Sequence, residues 1–438
     1  EYTPFLISKN MNLLAAEKKL VELYINGKSN GIYIESERLN EGFLRRKKIM
    51  PISLYKGEQS NNSENKIGLE HQLFNNPGLW KKISLLNFLS SADRSDLSYF
   101  FNNIIQSENS IDEMTKLLDN GNIESFSNQE IFQIFNQHMI GNDTHNMRIA
   151  LDNWTGKIYQ IPHDIIFIDQ NENNSPLKLD WANNHLFRVI NQNSYYIDKK
   201  YHKLYEYLVK NKIIDKTIID LHKMKNSFLI SKKTDIGHIQ RKYFSNLSNP
   251  TEDKVYFENF IEILKKRKKD LLNLLNSQPD GNWNNTEKGF AIEVKSHLPI
   301  SNLLIKYKDK TPNKIVLDNN NNLIEDDKDL YFYPNEKGQF NINVSLYANR
   351  DAILLSNINI PLIDISTSKT KFTFFVDNKT LIDQINFENK FTKKKYILKK
   401  KEIKGALPKL HNIIVKNINE ERKINFNKDV YIDDDLIV

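Results

Sequence analysis

Two polar clusters at the ends of a predicted β-hairpin hold the residue types best suited to chemistry. Asp143 and Asn146 lie in the cluster before the first strand (GNDTHN, 141–146), and Asp164 ends the cluster after the second strand (IPHD, 161–164). Because a hairpin brings its two ends together, these side chains are predicted to be neighbours. Carboxylate and carboxamide oxygens suit Mg²⁺, which often shares its ligands with phosphate groups. The clusters therefore suit phosphoryl transfer, in which one acid holds the acceptor hydroxyl while a second acid and an asparagine hold metal.

The same clusters also fit a purely local role, because Asp and Asn side chains build Asx turns. From the residues alone, a turn and a metal site both remain open. Other catalytic classes lack their motifs: no His-x-x-x-His pair supports a zinc hydrolase, and no Gly-x-Ser-x-Gly elbow supports a serine hydrolase. Gly27-Lys28-Ser29 is not a P-loop, since Glu22 stands where that loop needs a glycine. With no cysteine in the chain, thiolate nucleophiles and cysteine-ligated metals are excluded.

Hydrophobic patterns on both sides of the clusters predict the elements that position them. The amino-terminal part reads as a helical stretch (11–16), a β-hairpin (19–37), a helix (39–48) and a strand (52–55). The central hairpin has its strands at 147–151 and 158–161. Helical spacing surrounds it at 77–139, 185–190, 201–210, 216–225 and 255–276. This order predicts a β-rich part followed by a mainly helical part.

A turn-rich stretch at 277–285 is the predicted domain boundary. Short β-like runs follow it at 300–307, 329–333, 339–347, 352–358 and 371–376. Separated by Asp and Asn turns, these runs predict an all-β domain. At about 150 residues per domain, 438 residues suggest two or three domains.

Composition limits the partners of the chain. No apolar run approaches the length of a membrane-spanning helix, and the mean hydropathy is −0.57. The formal net charge is +7, and the basic runs at 265–269 and 393–404 alternate with Leu and Ile. Nucleic-acid binding is therefore not indicated, although a basic binder stays a third hypothesis that predicts strongly salt-dependent binding. The chain starts at Glu1 without a leader pattern, so we expect a removed signal or a fragment truncated at both ends.

Six short motifs, in this order and spacing, resemble the CotH-like kinase family (spore-coat protein H). The resemblance covers about residues 10–275, and its most specific part runs from His145 to Asp164. The motifs are Gly31–Glu37 (GIYIESE), Phe43–Arg46 (FLRR), Leu54–Lys56 (LYK), Asp143–Asn146 (DTHN), Thr155–Lys157 (TGK) and Ile161–Asp164 (IPHD).

The resemblance implies an α+β fold with an atypical protein-kinase-like, two-lobe domain followed by an all-β domain. It implies a partial β-rich N lobe (1–70), a mainly helical C lobe with the metal and catalytic hairpin (71–276), a linker (277–289) and a β-rich accessory domain (290–438). ATP and Mg²⁺ or Mn²⁺ are expected between the two lobes.

The resemblance also implies roles for single residues. These are Asp143 as the catalytic acid that orients a Ser or Thr hydroxyl, Asn146 and Asp164 as metal ligands, Glu37 and Lys56 in the nucleotide cleft, and His145 as the residue that orients the loop. For Glu37 and Lys56 the plain alternatives are a surface strand carboxylate and a solvated strand end.

The chain departs from the family pattern where the family usually reads Pro-Trp-Asp-x-Asp. Here His163 replaces the Trp and Ile166 replaces the second acid, which weakens metal binding. The family's strand with a phosphate-pairing lysine also lies upstream of the segment that aligns. Two hypotheses follow. In the first, the protein is a kinase that phosphorylates Ser or Thr of surface, coat or secreted proteins, and it is itself extracellular or at the cell surface. In the second, it is a catalytically degenerate kinase fold with a structural or adhesive role. Phosphoryl or nucleotidyl transfer and the oligomeric state stay open.

Overall fold

The structure is a computed structural model that describes most of the chain. The described residues are 2–50, 52–58, 71–84, 90–108, 110–138, 143, 145–164, 167, 177, 179, 184–191, 193–232, 250–278, 280–295, 301–308, 310–318, 322–326, 329–342, 370–376, 382–401, 409–416 and 421–431. Ile166 and the predicted strand 352–358 lie outside them.

The helices precede and surround the central hairpin. They are α1 (Tyr2–Asn10), α2 (Glu41–Arg46), α3 (Ser95–Ser107), α4 (Ile111–Leu118), α5 (Asn122–Asn136), α6 (His185–Ile190), α7 (Ser194–Val209), α8 (Ile213–Lys232) and α9 (Pro250–Asn276). Asparagine caps begin several of them: Asn40, Asn184 and Asn193 each accept a hydrogen bond from the backbone N–H three residues on. Apart from the first, the predicted helical segments are confirmed, except that residues 80–82 within the stretch 77–139 form a short strand.

The predicted helix at 11–16 is wrong, because the first helix lies earlier in the chain. Helix α1 ends at Asn10, and Asn12 takes a left-handed backbone with φ of 56°. That conformation stops a helix, and Asn is one of the few side chains that tolerate it. The propensity of Leu13 to Ala16 for helix is thus overridden by the local chain reversal.

The strands before the helical region form two sheets. The predicted hairpin over 19–37 is confirmed as β1 (Lys18–Ile25) and β2 (Lys28–Ser36). A four-stranded antiparallel sheet has the order β4-β3-β5-β6. Its strands are β3 (Ser53–Gly57), β4 (Trp80–Lys82), β5 (Met147–Asp152) and β6 (Lys157–Gln160). The predicted central hairpin, β5–β6, therefore shares a sheet with β3, and this sheet crosses the predicted lobe division at residue 70.

Both faces of the four-stranded sheet are covered. Tyr55 and Ile149 face the large core beneath the helices, whereas Leu54 and Ala150 face a smaller core with Phe43 of α2. Helix α5 also covers the edge of β6: Asn122 Oδ1 accepts from Ile158 N (2.7 Å), and Ser125 Oγ accepts from Gln160 N (3.3 Å). Polar side chains of α5 thus replace the missing neighbour strand.

A fully buried ionic network ties α5 to the helices that follow it. Lys200 Nζ lies 3.3 Å from Glu130 Oε1, and neither side chain is exposed to solvent. Tyr196 Oη donates to Glu130 Oε2 (2.6 Å), and Asn191 bonds both charged groups. Since each charge is paired and hydrogen-bonded, the pair is tolerated inside the core.

Every element that the structure describes after α9 is a strand, in agreement with the predicted β-rich part. These strands are β7 (Gly281–Asn285), β8 (Gly289–Val294), β9 (Ser301–Tyr307), β10 (Ile315–Leu317), β11 (Leu330–Phe332), β12 (Phe340–Ile342), β13 (Thr370–Val376), β14 (Ile382–Glu388), β15 (Lys395–Ile397), β16 (Lys399–Lys400), β17 (Lys409–Lys416) and β18 (Glu421–Tyr431). The sheet orders are β11-β10-β13-β8-β7-β16, β12-β9-β14-β15 and β17-β18. Strand β7 and the first residue of β8 lie inside 277–289, so six residues of the predicted linker belong to a sheet.

A short loop of the β-rich part contacts the helices. Asn389 Nδ2 donates to the carbonyl oxygens of Leu275 (3.1 Å) and Ser277 (3.0 Å), and the ring of Phe391 stacks on Tyr205 with centroids 4.9 Å apart. These contacts fix the chain where α9 passes into β7. Among the described residues, no helix combines the length and the apolar character needed to cross a membrane.

Candidate functional site

The structure places Asn146 and Asp164 at the same end of the central hairpin, as predicted. Ile161 N donates to Arg148 O (2.9 Å), so strand pairing continues beyond β6 towards these two residues. Both have left-handed backbones, with φ of 62° at Asn146 and 52° at Asp164. Such backbones are uncommon outside glycine, and Asn and Asp adopt them most readily. Two oxygen-bearing side chains thus flank the point where the hairpin ends.

A cavity of about 420 Å³ opens beside Asp164. Its polar lining includes Glu37, Arg148, His163 and Lys18. The apolar lining includes the buried side chains of Phe5 in α1 and Phe132 in α5. Two residues with predicted roles, Glu37 and Asp164, therefore share one cavity with a buried arginine.

Arg148 is the main residue of this site that sequence reasoning missed. It lies on β5 opposite Lys56 of β3, its side chain is 4% exposed, and its Nη1 donates to Met147 O (2.8 Å). Burial lowers the pKa of the guanidinium to about 10, and the negative charge of Asp164 acts in the opposite direction. A fixed, desolvated guanidinium beside a cavity is well suited to bind phosphate oxygens. The signal in the sequence that could have pointed to Arg148 is an arginine within the apolar strand 147–151. Its weight becomes clear only from the fold, which buries both faces of this strand.

Glu37 lies at the cavity in a fixed position. Its Oε2 accepts from Glu17 N (3.0 Å), its Oε1 pairs with the exposed guanidinium of Arg46, and its own side chain is 8% exposed. The carboxylate is therefore held in place and largely withdrawn from solvent, unlike an ordinary surface strand carboxylate.

Lys56 is near the site but is not among the residues that line the cavity. Its ammonium pairs with Glu58, whose carboxylate also lies 3.7 Å from Arg148 Nη2. Burial, and then the charge of Arg148, lower the pKa of Lys56. Lys56 and Arg148 are thus neighbouring cations on one face of the sheet, with one carboxylate between them.

His163 replaces the usual Trp of the family pattern and lines the cavity. Burial, followed by the charge of Arg148, lowers the pKa of His163 to about 4. The imidazole is therefore neutral near pH 7. Burial likewise lowers the pKa of His138, although the charge of Asp164 opposes this shift.

Asp143 has a different environment from the other predicted site residues. Its carboxylate accepts from His185 N (2.9 Å) and from Arg188 Nη1 (2.7 Å), and the residue is 3% exposed. In this conformation it binds the first turn of α6, and it is not among the residues that line the cavity. Its catalytic role stays a prediction, as does the loop-orienting role of His145, which directly precedes Asn146.

The donor set at the hairpin end fits a cation that arrives with phosphate groups. The described residues contain no cluster of three or more His, Asp or Glu side chains arranged to hold a metal. Asp164 and Asn146 offer one carboxylate and one carboxamide. Mg²⁺ is commonly held by one or two carboxylates together with substrate phosphates and water. The site therefore fits Mg²⁺ shared with a nucleotide better than a cation held by protein ligands alone.

The family model described as CotH kinase protein matches residues 4–262, which is more than half of the chain. The chain therefore belongs to the CotH kinase family, and the predicted family is confirmed. The match includes the whole site described above. Membership of a kinase family implies in general the use of ATP with a divalent cation and a protein substrate. No curated protein matches the chain.

Proposed function

We propose that this protein transfers the γ-phosphoryl group of ATP to Ser or Thr hydroxyls of surface, coat or secreted proteins, and that it acts outside the cell or at its surface. The observation that supports the transfer is the buried Arg148 beside Asp164 in a cavity at the end of the central hairpin. Together with family membership, a fixed cation beside a carboxylate in one cavity supports this proposal.

Asp164 and Asn146 are the residues that would hold Mg²⁺, which when bound neutralises charge on the β- and γ-phosphates. Arg148 donates hydrogen bonds to a phosphate oxygen, and its burial strengthens them. Glu37, held by Arg46, accepts a hydrogen bond from the nucleoside. Asp143 orients the acceptor hydroxyl and takes its proton, while the hydroxyl oxygen bonds to the γ-phosphorus and the bond from the γ-phosphorus to the departing ADP oxygen breaks.

A second candidate function is nucleotide binding without transfer, in a kinase fold with a structural or adhesive role. The contacts of Asp143 favour it, because both carboxylate oxygens already accept hydrogen bonds within the protein. Each carboxylate oxygen keeps a second lone pair, but these contacts hold Asp143 against α6, and Asp143 is not among the residues that line the cavity, so it has to move to reach a hydroxyl bound there.

Calorimetric titration with ATP in the presence of Mg²⁺ or Mn²⁺ tests the binding step. We expect metal-dependent binding that Asp164→Asn weakens at least tenfold, which corresponds to the loss of one charged interaction. Asp383→Asn is the matched control, since Asp383 is exposed on β14 of the β-rich part, and it should change affinity less than twofold. Absence of ATP binding with both metals contradicts the proposal.

Transfer of labelled γ-phosphate to protein substrates separates the two candidate functions. Asp143→Asn should lower the melting temperature in either case, because it weakens the buried contact with Arg188. If Asp143 is catalytic, the variant loses transfer at a temperature at which it is still folded and binds ATP as the wild type does. If Asp143 only fixes α6, the same variant lowers the melting temperature, and transfer falls only as far as folding does. ATP binding by the wild-type chain without any transfer favours the second candidate. Cell fractionation tests the proposed location.

A further inference from the structure

The segment 395–401 (KYILKKK) of the β-rich part runs along the edges of two sheets. Strand β15 is the last strand in the sheet order β12-β9-β14-β15, and β16 is the last in the order β11-β10-β13-β8-β7-β16. Between these strands Leu398 N donates to Ile385 O (2.9 Å), and after them Lys401 N donates to Trp283 O (2.8 Å). Both sheets bury side chains in one core, so the segment lies along one side of this two-sheet unit.

Side chains of the segment alternate between the core and the solvent, as in a strand. Tyr396 stacks on the buried Phe387, with ring centroids 5.2 Å apart, and Leu398 is buried in the same core. Ile397 points the other way and is 64% exposed. The exposed residues at alternate positions are Lys395, Ile397, Lys399 and Lys401. One side of the segment thus presents three lysines and an isoleucine to the solvent.

The charge along this segment is strongly positive. Residues 393–401 contain six lysines and no acidic residue, and all six lysines are exposed. Within the part of the chain that the structure describes, Lys393 lies 3.7 Å from the carboxylate of Glu388, and none of the other five lysines has an ion pair. The next acidic residue in the sequence, Glu402, lies outside the described residues. An uncompensated positive charge therefore surrounds one exposed apolar side chain.

Lysines on edge strands also have a plainer role, because they prevent a sheet edge from pairing with another chain. The exposed Ile397 does not serve this role, since an apolar side chain on an edge strand favours contact with other molecules. The side of the segment that faces the solvent therefore has the composition of a binding surface, and its charge requires an anionic partner.

The kind of anionic partner follows from the residue types. Protein interfaces are enriched in Arg and aromatic residues and depleted in Lys, and single-stranded nucleic acids stack on exposed aromatic rings. The segment has no Arg, and its one aromatic residue, Tyr396, faces the core. A bilayer with anionic headgroups needs only dispersed positive charge and an apolar side chain that can enter the interface. The segment offers both.

We propose that this side of the β-rich part binds the surface of a bilayer that contains anionic lipids. Lys395, Lys399 and Lys401 contact the headgroup phosphates, and Ile397 enters the boundary between headgroups and acyl chains. The contact is peripheral, so it needs no membrane-spanning helix. It is independent of the proposed kinase function, because none of these four residues lines the Asp164 cavity.

Sedimentation of the full chain with lipid vesicles tests the proposal. We expect binding in low salt to vesicles of phosphatidylcholine mixed with phosphatidylglycerol, release in high salt, and little binding to phosphatidylcholine alone. The triple variant Lys395→Gln/Lys399→Gln/Lys401→Gln should weaken binding roughly a hundredfold, since each lysine near an anionic surface contributes about a fivefold factor. Its melting temperature should stay close to wild type, because all three side chains are exposed.

Two further variants make the test specific. The matched control is Lys28→Gln/Lys210→Gln/Lys212→Gln, which removes the same charge from exposed lysines elsewhere and should bind within about threefold of wild type, because distant exposed charges are screened. Ile397→Ser keeps every lysine and should weaken binding to the anionic vesicles roughly fivefold, from the loss of apolar contact.

Four results overturn the proposal. The first is absence of binding to the anionic vesicles in low salt. The second is equal weakening by the two triple variants, which assigns binding to net charge alone. The third is unchanged vesicle binding by Ile397→Ser. The fourth is duplex DNA that binds more tightly than the vesicles and displaces them, which assigns the segment to nucleic acid. Without vesicles, the lysine variant should bind ATP as the wild type does, so failure of the kinase proposal leaves the lipid result unaffected.

Discussion

Arg148→Met should make the protein more stable and bind nucleotide more weakly. Burial of Arg148 lowers its pKa from 12.5 to about 10, so the folded state disfavours the charged guanidinium by about 3 kcal/mol. Methionine fills a similar volume without charge. It also loses the hydrogen bond to Met147 O, which contributes about 1 kcal/mol. The substitution removes the unfavourable term of about 3 kcal/mol and loses the hydrogen bond of about 1 kcal/mol. With allowance for solvent screening, the free energy of unfolding should therefore rise by about 2 kcal/mol.

The same substitution should raise the Kd for ATP and Mg²⁺ by roughly tenfold to a hundredfold, because a hydrogen bond to a charged group contributes about 1.5–3 kcal/mol. Urea denaturation followed by circular dichroism measures the stability, and calorimetry measures the affinity. Arg267→Met is the matched control, since Arg267 is also buried and donates to Phe135 O (2.6 Å), away from the cavity. It should leave ATP affinity unchanged. An Arg148→Met protein that is less stable and binds ATP as wild type refutes the assignment of Arg148 to phosphate binding.

Three further predictions concern pH and stability. In the unfolded chain His163 is protonated below about pH 6.5, but in the folded protein only near pH 4. The free energy of unfolding should therefore fall by about 2 kcal/mol, after allowance for partial exposure, as the pH drops through this window. Urea denaturation at both pH values should show this loss, and His163→Gln should remove it. Lys200→Met leaves Glu130 buried without its cation and should cost about 3–5 kcal/mol, whereas a loss below about 1 kcal/mol in urea denaturation contradicts the buried pair. In Gly289→Ala the new Cβ lies 2.0 Å from Phe374 O, so thermal melting should show a loss of about 3 kcal/mol or more, and an unchanged melting temperature argues against the β8–β13 pairing.

Local sequence signals predicted the elements of the site well. The hairpins at 19–37 and around Thr155–Gly156 follow from alternating strands joined by glycine-containing turns, and both are present. The hairpin geometry alone was sufficient to place Asn146 and Asp164 at one end, without knowledge of the fold. The helices between 95 and 136 follow from their apolar spacing.

Other features depend on contacts between distant parts of the chain and were not predictable locally. The burial of Arg148 requires β3 and the amino-terminal segment to cover its strand. The attachment of Asp143 to Arg188 joins residues 45 positions apart, with the central hairpin between them in the chain. Strand β7 has a turn-like composition (GNWNN) and becomes a strand only through pairing with β8. In each case tertiary contacts override a weak local preference.

The pairing of β3 with β5 also has a consequence for the order of folding. Leu54 pairs with Ala150, so the two strands are separated by 96 positions (150 − 54), whereas β5 and β6 are joined by a short turn. Contacts so distant in sequence form slowly, because a long loop must close first. During synthesis, β3 leaves the ribosome well before its partner and has to wait, with β4 as its neighbour, until the hairpin emerges. Completion of this sheet should therefore be a late step in folding. A nascent chain that ends before residue 147 exposes the unpaired edge of β3, and a chaperone must protect this edge.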